Sequence, residues 1–342
     1  LQDNGLTVFG PGKAAARLEG SKSFAKEIMR AAGVPTARAE TFRGTSEAIA
    51  ALSRFDLPVV VKADGLAAGK GVVICDTPDQ ARAAIVSMMQ EQVFGTAGSS
   101  ILIEEFLQGE EASILALVDG ERILCLPSAQ DHKRVGDGDT GLNTGGMGAY
   151  SPAPVVSSAL EREVMECILR PVVRELAARG IPYRGVLYAG LMIDAHGPKV
   201  LEFNCRFGDP ETQAVLPRLK DDLASLLLKC AQGQLPDSPL EIDPRPCVTV
   251  VMAAGGYPGP YSKGLPIRGL EGPDRAEDVM VFHAGTAVKD GRTVTSGGRV
   301  LAATALGDSM QAAIAKAYDA AGTISFEGAQ FRRDIAHRAL ER

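Results

Sequence analysis

The sequence predicts a multidomain chain of mixed α/β and α+β class. Three observations carry this. The chain has 342 residues and 45% hydrophobic content, enough for two or three domains with cores of their own. Apolar strand-like runs and helical periodicities succeed one another up to about residue 232. Beyond a stretch rich in Pro and Asp at 235–246, which reads as a linker, several short strands close with one helix, the pattern of a small α+β domain.

Composition excludes several classes. No apolar run approaches the length of a membrane span, and no charged segment followed by an apolar one marks a secretory signal. The six cysteines (75, 125, 167, 205, 230, 247) are scattered, without a CxxC or a Cys/His cluster, which argues against a disulfide framework or structural zinc and fits a reducing cytoplasm. Net charge is −6 with no dense basic tract, so neither nucleic acid nor membrane is an expected partner, although a local cluster can still hold a small anion. None of the four histidines has metal-ligand spacing to another.

Taken in order, Leu6-Thr7-Val8-Phe9 reads as a strand closed by Gly10-Pro11-Gly12. A lone strand of parallel type needs partners, so the chain is expected to begin partway through a domain. Residues 21–32 form a helix ending at Gly33, and 45–53 a second. Strands follow at 58–63 and 72–75. Thr77 and Pro78 open a helix to about Gln92. After a loop at 95–100 come strands at 101–106, 112–118 and 123–126. Residues 128–154 show no regular pattern, which marks them as functional or disordered. A helix at 158–178 has a Ser158/Glu161 capping box and a kink at Pro171. Strands at 186–193 and 199–201, a helix at 221–232, five short strands between 248 and 304, and a helix at 310–321 complete the chain.

Glu202-Phe203-Asn204-Cys205-Arg206 continues the strand at 199–201. Side chains alternate along a strand, so Glu202, Asn204 and Arg206 share a face. A carboxylate and an amide oxygen are hard ligands suited to Mg²⁺, and a guanidinium offers fixed donors to phosphate or carboxylate. A half-buried strand with a polar outer face fits the same residues.

Gly65 to Gly71 is not a P-loop. Gly65-x-x-x-Gly69-Lys70 is one residue short, Gly71 stands where Ser or Thr is required, and a strand follows instead of a helix. It reads as a glycine hairpin whose N–H groups can approach an anion, with Lys62 leading in and Lys70 at the tip, or as an ordinary loose hairpin with solvated lysines. Glu104-Glu105-Phe106-Leu107, then Glu110-Glu111, offers backbone groups to an adenine edge and a carboxylate to a ribose, or is a solvated charge run. In the irregular stretch, Asp131-His132-Lys133-Arg134 accompanies Asn143-Thr144-Gly145-Gly146-Met147-Gly148, a glycine-rich turn with space for a small carboxylate, or a mobile surface loop.

These segments, with Val61–Val72, Ile103–Ser113, Gln130–Arg134, Asn143–Pro152, Glu202–Gln213, Val251–Gly259 and Phe282–Thr286, resemble the phosphoribosylamine–glycine ligase family over nearly the whole chain. The resemblance implies an ATP-grasp fold: a small glycine-hairpin lid, a larger central domain and a small C-terminal α+β domain, with an N-terminal mononucleotide-type domain largely absent. It sets boundaries of 1–20 for a remnant or linker, 21–107 for the first part with the lid at about 38–107, 108–240 for the central domain and 241–342 for the C-terminal domain. It implies ATP-dependent ligation of glycine to 5-phosphoribosylamine, giving glycinamide ribonucleotide, ADP and phosphate in de novo purine synthesis, with Mg²⁺ or Mn²⁺. Lys22, Lys62, Gly65, Gly69, Lys70 and Gly71 would meet the ATP phosphates. Glu104, Glu105 and Leu107 would hold adenine, Glu111 the ribose, and Glu202 and Asn204 the metal. Arg206, Asp209, Asn143, Gly145, Gly146, Met147 and Gly148 would lie near glycine, with Arg206, Lys62 and Lys133 serving the chemistry. Leu142 departs from the family pattern, which has proline there. A ligase of the same fold with another substrate pair, or a truncated ATP-binding module without activity, is the alternative.

Overall fold

Lys62 is carried by a strand that is buried along its whole length, Val59–Ala63. The computed structural model describes residues 4–67, 71–272 and 278–341. It divides into two compact units, the first comprising Leu1–Cys125, Ser157–Arg206 and Ala224–Ser238.

In the first unit, α1 (Arg17–Gly20) and α2 (Lys22–Ala31) precede β1 (Ala39–Phe42), α3 (Thr45–Ala51), β2 (Val59–Ala63), β3 (Val72–Cys75), α4 (Pro78–Met89) and β4 (Ile101–Glu105). The four strands make an antiparallel sheet in the order β1-β4-β2-β3. Val59, Val61, Ala63, Ile101 and Ile103 pack with Ala48 and Ala51 of α3 and Ala81, Ile85 and Met88 of α4. Thr77 caps α4 ahead of Pro78, as expected from the sequence, and Gln80 completes a reciprocal capping box with it that was not among those expectations.

A second antiparallel sheet of this unit has β5 (Glu110–Val118), β6 (Ile123–Cys125), β11 (Gly185–Asp194) and β12 (Gly197–Asn204) in the order β12-β11-β5-β6. Between β6 and β11 lie α5 (Ser158–Val164) and α6 (Arg170–Ala178), joined by a π-helical turn at Met165–Leu169. The predicted kink at Pro171 takes this form: Arg170 N–H bonds back to Met165 O, just before a residue that has no N–H to give. The cap is Ser157, whose side chain accepts from Leu160 N–H, instead of Ser158.

The second unit comprises Leu126–Val156, Phe207–Leu223 and Pro239–Arg342. Its five-stranded antiparallel sheet runs β14-β17-β13-β10-β7, from β7 (Gln130–Asp131), β10 (Gly148–Ser151), β13 (Cys247–Ala253), β14 (Val279–His283) and β17 (Arg299–Leu306). The alanine face of α9 (Met310–Thr323) packs on Val248, Val250, Met252, Leu301 and Ala303. Two hairpins complete it, β8 (Arg134–Gly136) with β9 (Thr140–Asn143), and β15 (Thr286–Lys289) with β16 (Arg292–Thr295). The short α7 (Glu211–Val215) belongs here, while α8 (Leu223–Gln232) falls mostly in the first unit.

Three expectations change. Leu6–Phe9 is not a strand. Residues 95–100, read as a loop, contain a 3-10 turn at Gly95–Ser99. The stretch 128–154 is ordered, holding four short strands that its Gly and Asp content concealed. Its Gly136-Asp137-Gly138-Asp139-Thr140-Gly141 matches G-x-G-x-x-G, but it is the tip of the β8–β9 hairpin and opens no helix, so it is not a dinucleotide fingerprint. Among the described residues, no helix is long and apolar enough to cross a membrane.

Candidate active site

Lys62 and Glu104 face each other diagonally across the β2–β4 ladder, where Lys62 is registered opposite Leu102 and Val60 opposite Glu104. Lys62 Nζ lies 2.8 Å from Glu104 Oε2, and Lys26 Nζ of α2 approaches the same oxygen at 3.5 Å. All three are buried, so one carboxylate serves two ammonium groups in a low-dielectric setting. Lys26 also donates to Thr36 Oγ1 at 2.8 Å and Ala37 O at 2.9 Å. Burial lowers the Lys26 pKa to about 8, against the opposing pull of Glu104.

Lys22 stands at the start of α2 and donates to Ala63 O at 2.8 Å and Gly65 O at 3.2 Å, at the point where β2 gives way to the glycine hairpin. Burial lowers its pKa, and the charge of Glu202 is the largest opposing influence. The α2 N-terminus is tied to the same point: Asp64 accepts from Ser23 N and Ser23 Oγ, each at 2.7 Å. A Cβ on Gly65 would fall 2.9 Å from the Ala97 backbone, and one on Gly71 would fall 2.6 Å from Ala67 Cβ, so both glycines are required by packing. Gly69 and Lys70 lie outside the described residues. The Glu104 side chain, expected beside adenine, is turned to the lysines. Glu105 Oε1 accepts from Arg38 N at 3.0 Å, Leu107 is buried, and Glu111 is half-buried on β5.

On β12 a bulge at Leu201 shifts the alternation, which then holds from Glu202 to Asn204. Glu202 is exposed, Phe203 is buried, and Asn204 is half-buried on the Glu202 side. Arg206 is not a third member of that row, because the strand ends at Asn204. Glu19 of α1 captures the next N–H, with Oε2 accepting from Cys205 N at 2.8 Å and Oε1 lying 3.2 Å from Arg206 Nε. Among the described residues no group of three or more His, Cys, Asp or Glu is placed to hold a metal ion. Glu202 and Asn204 fit a hard cation that completes its shell with water and substrate phosphate oxygens.

In the second unit, the turn at 144–148 is held from several sides. Gly145 N–H donates to Tyr257 Oη at 3.0 Å, Gly146 N–H to Thr144 Oγ1 at 3.0 Å and Met147 N–H to His132 O at 2.8 Å. The turn, read from the sequence as having space for a small carboxylate, has these N–H groups engaged within the protein. A Cβ on Gly146, whose φ is +110°, would lie 2.3 Å from Pro210 Cδ, and one on Gly148 2.7 Å from Thr249 O. Met147 is fully buried and Asn143 is exposed at the end of β9. Asp209 forms a two-pronged pair with Arg299, at 3.1 and 2.8 Å. Lys133 is exposed, its Nζ 3.8 Å from Asp131.

Behind this turn, fully buried Arg332 pairs with Asp334 at 2.7 and 2.6 Å and with Asp139 at 2.8 Å, and Arg338 also binds Asp139. His132 Nε2 accepts from Ala336 N–H at 3.0 Å, which places the proton on Nδ1. Burial, with Arg332 and Arg338 nearby, lowers its pKa to about 3, so the ring is neutral near pH 7. Lys26, Glu19, Asp64, Arg299 and Arg332 were not singled out from the sequence. Each has at least one partner remote in sequence (for Arg332 it is Asp139, alongside the neighbouring Asp334), so no local spacing marks it.

Residues 20–212 match the model of the phosphoribosylglycinamide synthetase ATP-grasp (A) domain, and residues 247–338 that of the phosphoribosylglycinamide synthetase C domain. The chain belongs to the phosphoribosylglycinamide synthetase family. It is 52% identical to a phosphoribosylamine–glycine ligase of Pseudomonas aeruginosa over 343 aligned positions, spanning 100% of this chain and 80% of that one. The crystal structure of phosphoribosylamine–glycine ligase from Thermotoga maritima superposes with a TM-score of 0.89 at 38% identity, covering 96% of this chain and 81% of that one. Biotin carboxylase from Campylobacter jejuni shares the fold, with a TM-score of 0.78 at 17% identity, covering 100% of this chain and 74% of that one. As a phosphoribosylglycinamide synthetase family member, the chain is an ATP-grasp enzyme of the ATP-dependent ligase class, in a family that uses ATP and a divalent metal.

Proposed function

We propose that this chain ligates glycine to 5-phosphoribosylamine, giving glycinamide ribonucleotide, ADP and phosphate. The observation that carries the reading is the pair of exposed Glu202 and half-buried Asn204 on one face of β12, with half-buried Lys22 under the influence of the Glu202 charge. The names of its relatives support the substrate pair.

A carboxylate is a poor electrophile. In the first step the bond from the ATP γ-phosphorus to its bridging oxygen breaks, a glycine carboxylate oxygen bonds to that phosphorus, and ADP leaves. In the second, the amine nitrogen attacks the glycyl carbonyl carbon, phosphate departs with the C–O electron pair, and the nitrogen releases a proton. Neither step requires a protein nucleophile; both require positioning and charge neutralisation.

Lys62 and Lys22 supply positive charge at the ATP phosphates, Lys62 being held for that task by Glu104. The hairpin at Gly65 and Gly71 brings backbone N–H groups, and Glu105, Leu107 and Glu111 lie along the adenosine. Glu202 and Asn204 would hold Mg²⁺ or Mn²⁺, which when bound neutralises phosphate charge. Arg206, oriented by Glu19, and Lys133 serve the moving charge. Asn143, the turn at Gly145–Gly148 and Asp209 form the surroundings of glycine. In this reading the glycine-hairpin lid spans about 38–107, the central domain 108–240 and the C-terminal domain 241–342. A cytoplasmic setting is supported by six free thiols.

The test is ADP release that depends on both glycine and phosphoribosylamine. Glu202→Gln and Asn204→Ala are expected to lower turnover by about 10² or more, with melting temperature unchanged because Glu202 is exposed. Near-normal turnover by either variant at saturating divalent cation overturns the assignment.

A further inference from the structure

We propose that Arg299 is a positioning residue for the glycine substrate: it fixes the turn at 144–148, and with it Asp209, in a single conformation. The inference deepens the ligase reading and rests on it.

Arg299 opens β17, a strand anchored in the five-stranded sheet. Its Nη1 donates to Gly145 O at 2.8 Å and Asp209 O at 3.0 Å, and its two Nη groups grip the Asp209 carboxylate at 3.1 and 2.8 Å. One guanidinium therefore links the glycine turn to the Asp209 segment, through both backbone and side chain. From the other side, Tyr257 Oη takes the Gly145 N–H. Tyr257 is itself confined: a Cβ on Gly298 would come within 2.4 Å of its ring, and Tyr261 stands edge-on to it at 6.4 Å.

Two consecutive glycines give a turn little conformational preference of its own, and Gly146 occupies a φ of +110°. The conformation must come from groups outside the turn. A planar fork satisfies two carbonyls and a carboxylate together, whereas an ammonium presents a compact point charge that does not span them. The Arg299 side chain is 20% exposed and that of Asp209 49%, so water reaches these bonds, and the constraint comes from several of them sharing one rigid fork.

The test compares wild type with Arg299→Ala and Arg299→Lys in glycine-dependent ADP release and in amide exchange of the peptide containing 144–148. Arg299→Ala is expected to raise the KM for glycine about tenfold or more, since charge-assisted bonds are lost, while the KM for ATP is unchanged. Exchange at Gly145–Met147 accelerates in the same variant. Arg299→Lys recovers only part of the effect, and millimolar guanidinium partly restores Arg299→Ala. An unchanged KM for glycine in Arg299→Ala, with wild type active, overturns the positioning role. Unchanged exchange shows that Arg299 does not hold the turn and overturns it equally. Absence of glycine-dependent ADP release in wild type instead overturns the ligase reading on which it stands.

Discussion

Glu104 holds Lys62 at 2.8 Å in the interior of the first unit, and the same carboxylate oxygen lies 3.5 Å from Lys26. The lysine assigned to the ATP phosphates is thus prearranged by a buried acid. A buried charge with its partner removed is strongly destabilising, by about 3–5 kcal/mol. Glu104→Gln leaves two buried ammonium groups facing a neutral amide. The expected outcome is a loss of about 3 kcal/mol in urea unfolding together with a raised KM for ATP. If Glu104→Gln unfolded at the same urea concentration as wild type, the acid would not be what stabilises the pair.

Lys26 adds a pH signature. Its pKa falls from 10.5 to about 8, with burial as the principal cause. In the unfolded chain the group keeps the ordinary value, so between pH 8 and 10.5 the unfolded state binds more protons than the native state. Stability from this group therefore rises with pH across that window, by at most about 1.4 kcal/mol per pH unit. Below pH 8 the native state carries the full penalty of confining the charge. Lys26→Met has no proton to lose there. Its stability relative to wild type is expected to be greatest near pH 7 and to decline from pH 8 to pH 10, as read from paired urea titrations. A difference between the two proteins that stays flat over that range contradicts the buried-lysine account.

The features legible in the sequence were those encoded locally. The apolar run Val59–Ala63, the Thr77 cap with Pro78 and the alternation of Glu202, Phe203 and Asn204 all appear where local rules put them. The failures share a cause. Arg206 is not in the strand row because β12 ends at Asn204, and its Nε instead meets Glu19, 187 positions away in sequence. The strands within 128–154 escaped notice because ladders, not propensity, hold them: Ala149 pairs with Thr249 on one side and Asp131 on the other. Arg299 sits in an ordinary Ser-Gly-Gly-Arg-Val context, and only its contacts with Gly145 and Asp209 distinguish it from a solvated arginine.

The glycine turn offers a test that needs no substrate. Gly146 and Gly138 both have positive φ, +110° and +65°, but their surroundings differ. A Cβ on Gly138 meets nothing within 4 Å, and its backbone lies in the left-handed region that other residues enter at a cost of about 1–2 kcal/mol. A Cβ on Gly146 would lie 2.3 Å from Pro210 Cδ, a ring atom that cannot rotate away, and its φ is outside that left-handed well. Overpacking adds about 1–3 kcal/mol to the backbone strain. Gly146→Ala is therefore expected to lose roughly twice as much stability as Gly138→Ala in urea unfolding. Because the displaced partner adjoins Asp209, it should also impair glycine use while Gly138→Ala does not. Equal losses for the two variants would mean that the turn at 144–148 yields to an added methyl group, and that its geometry is not held in the way Arg299, Tyr257 and Pro210 indicate.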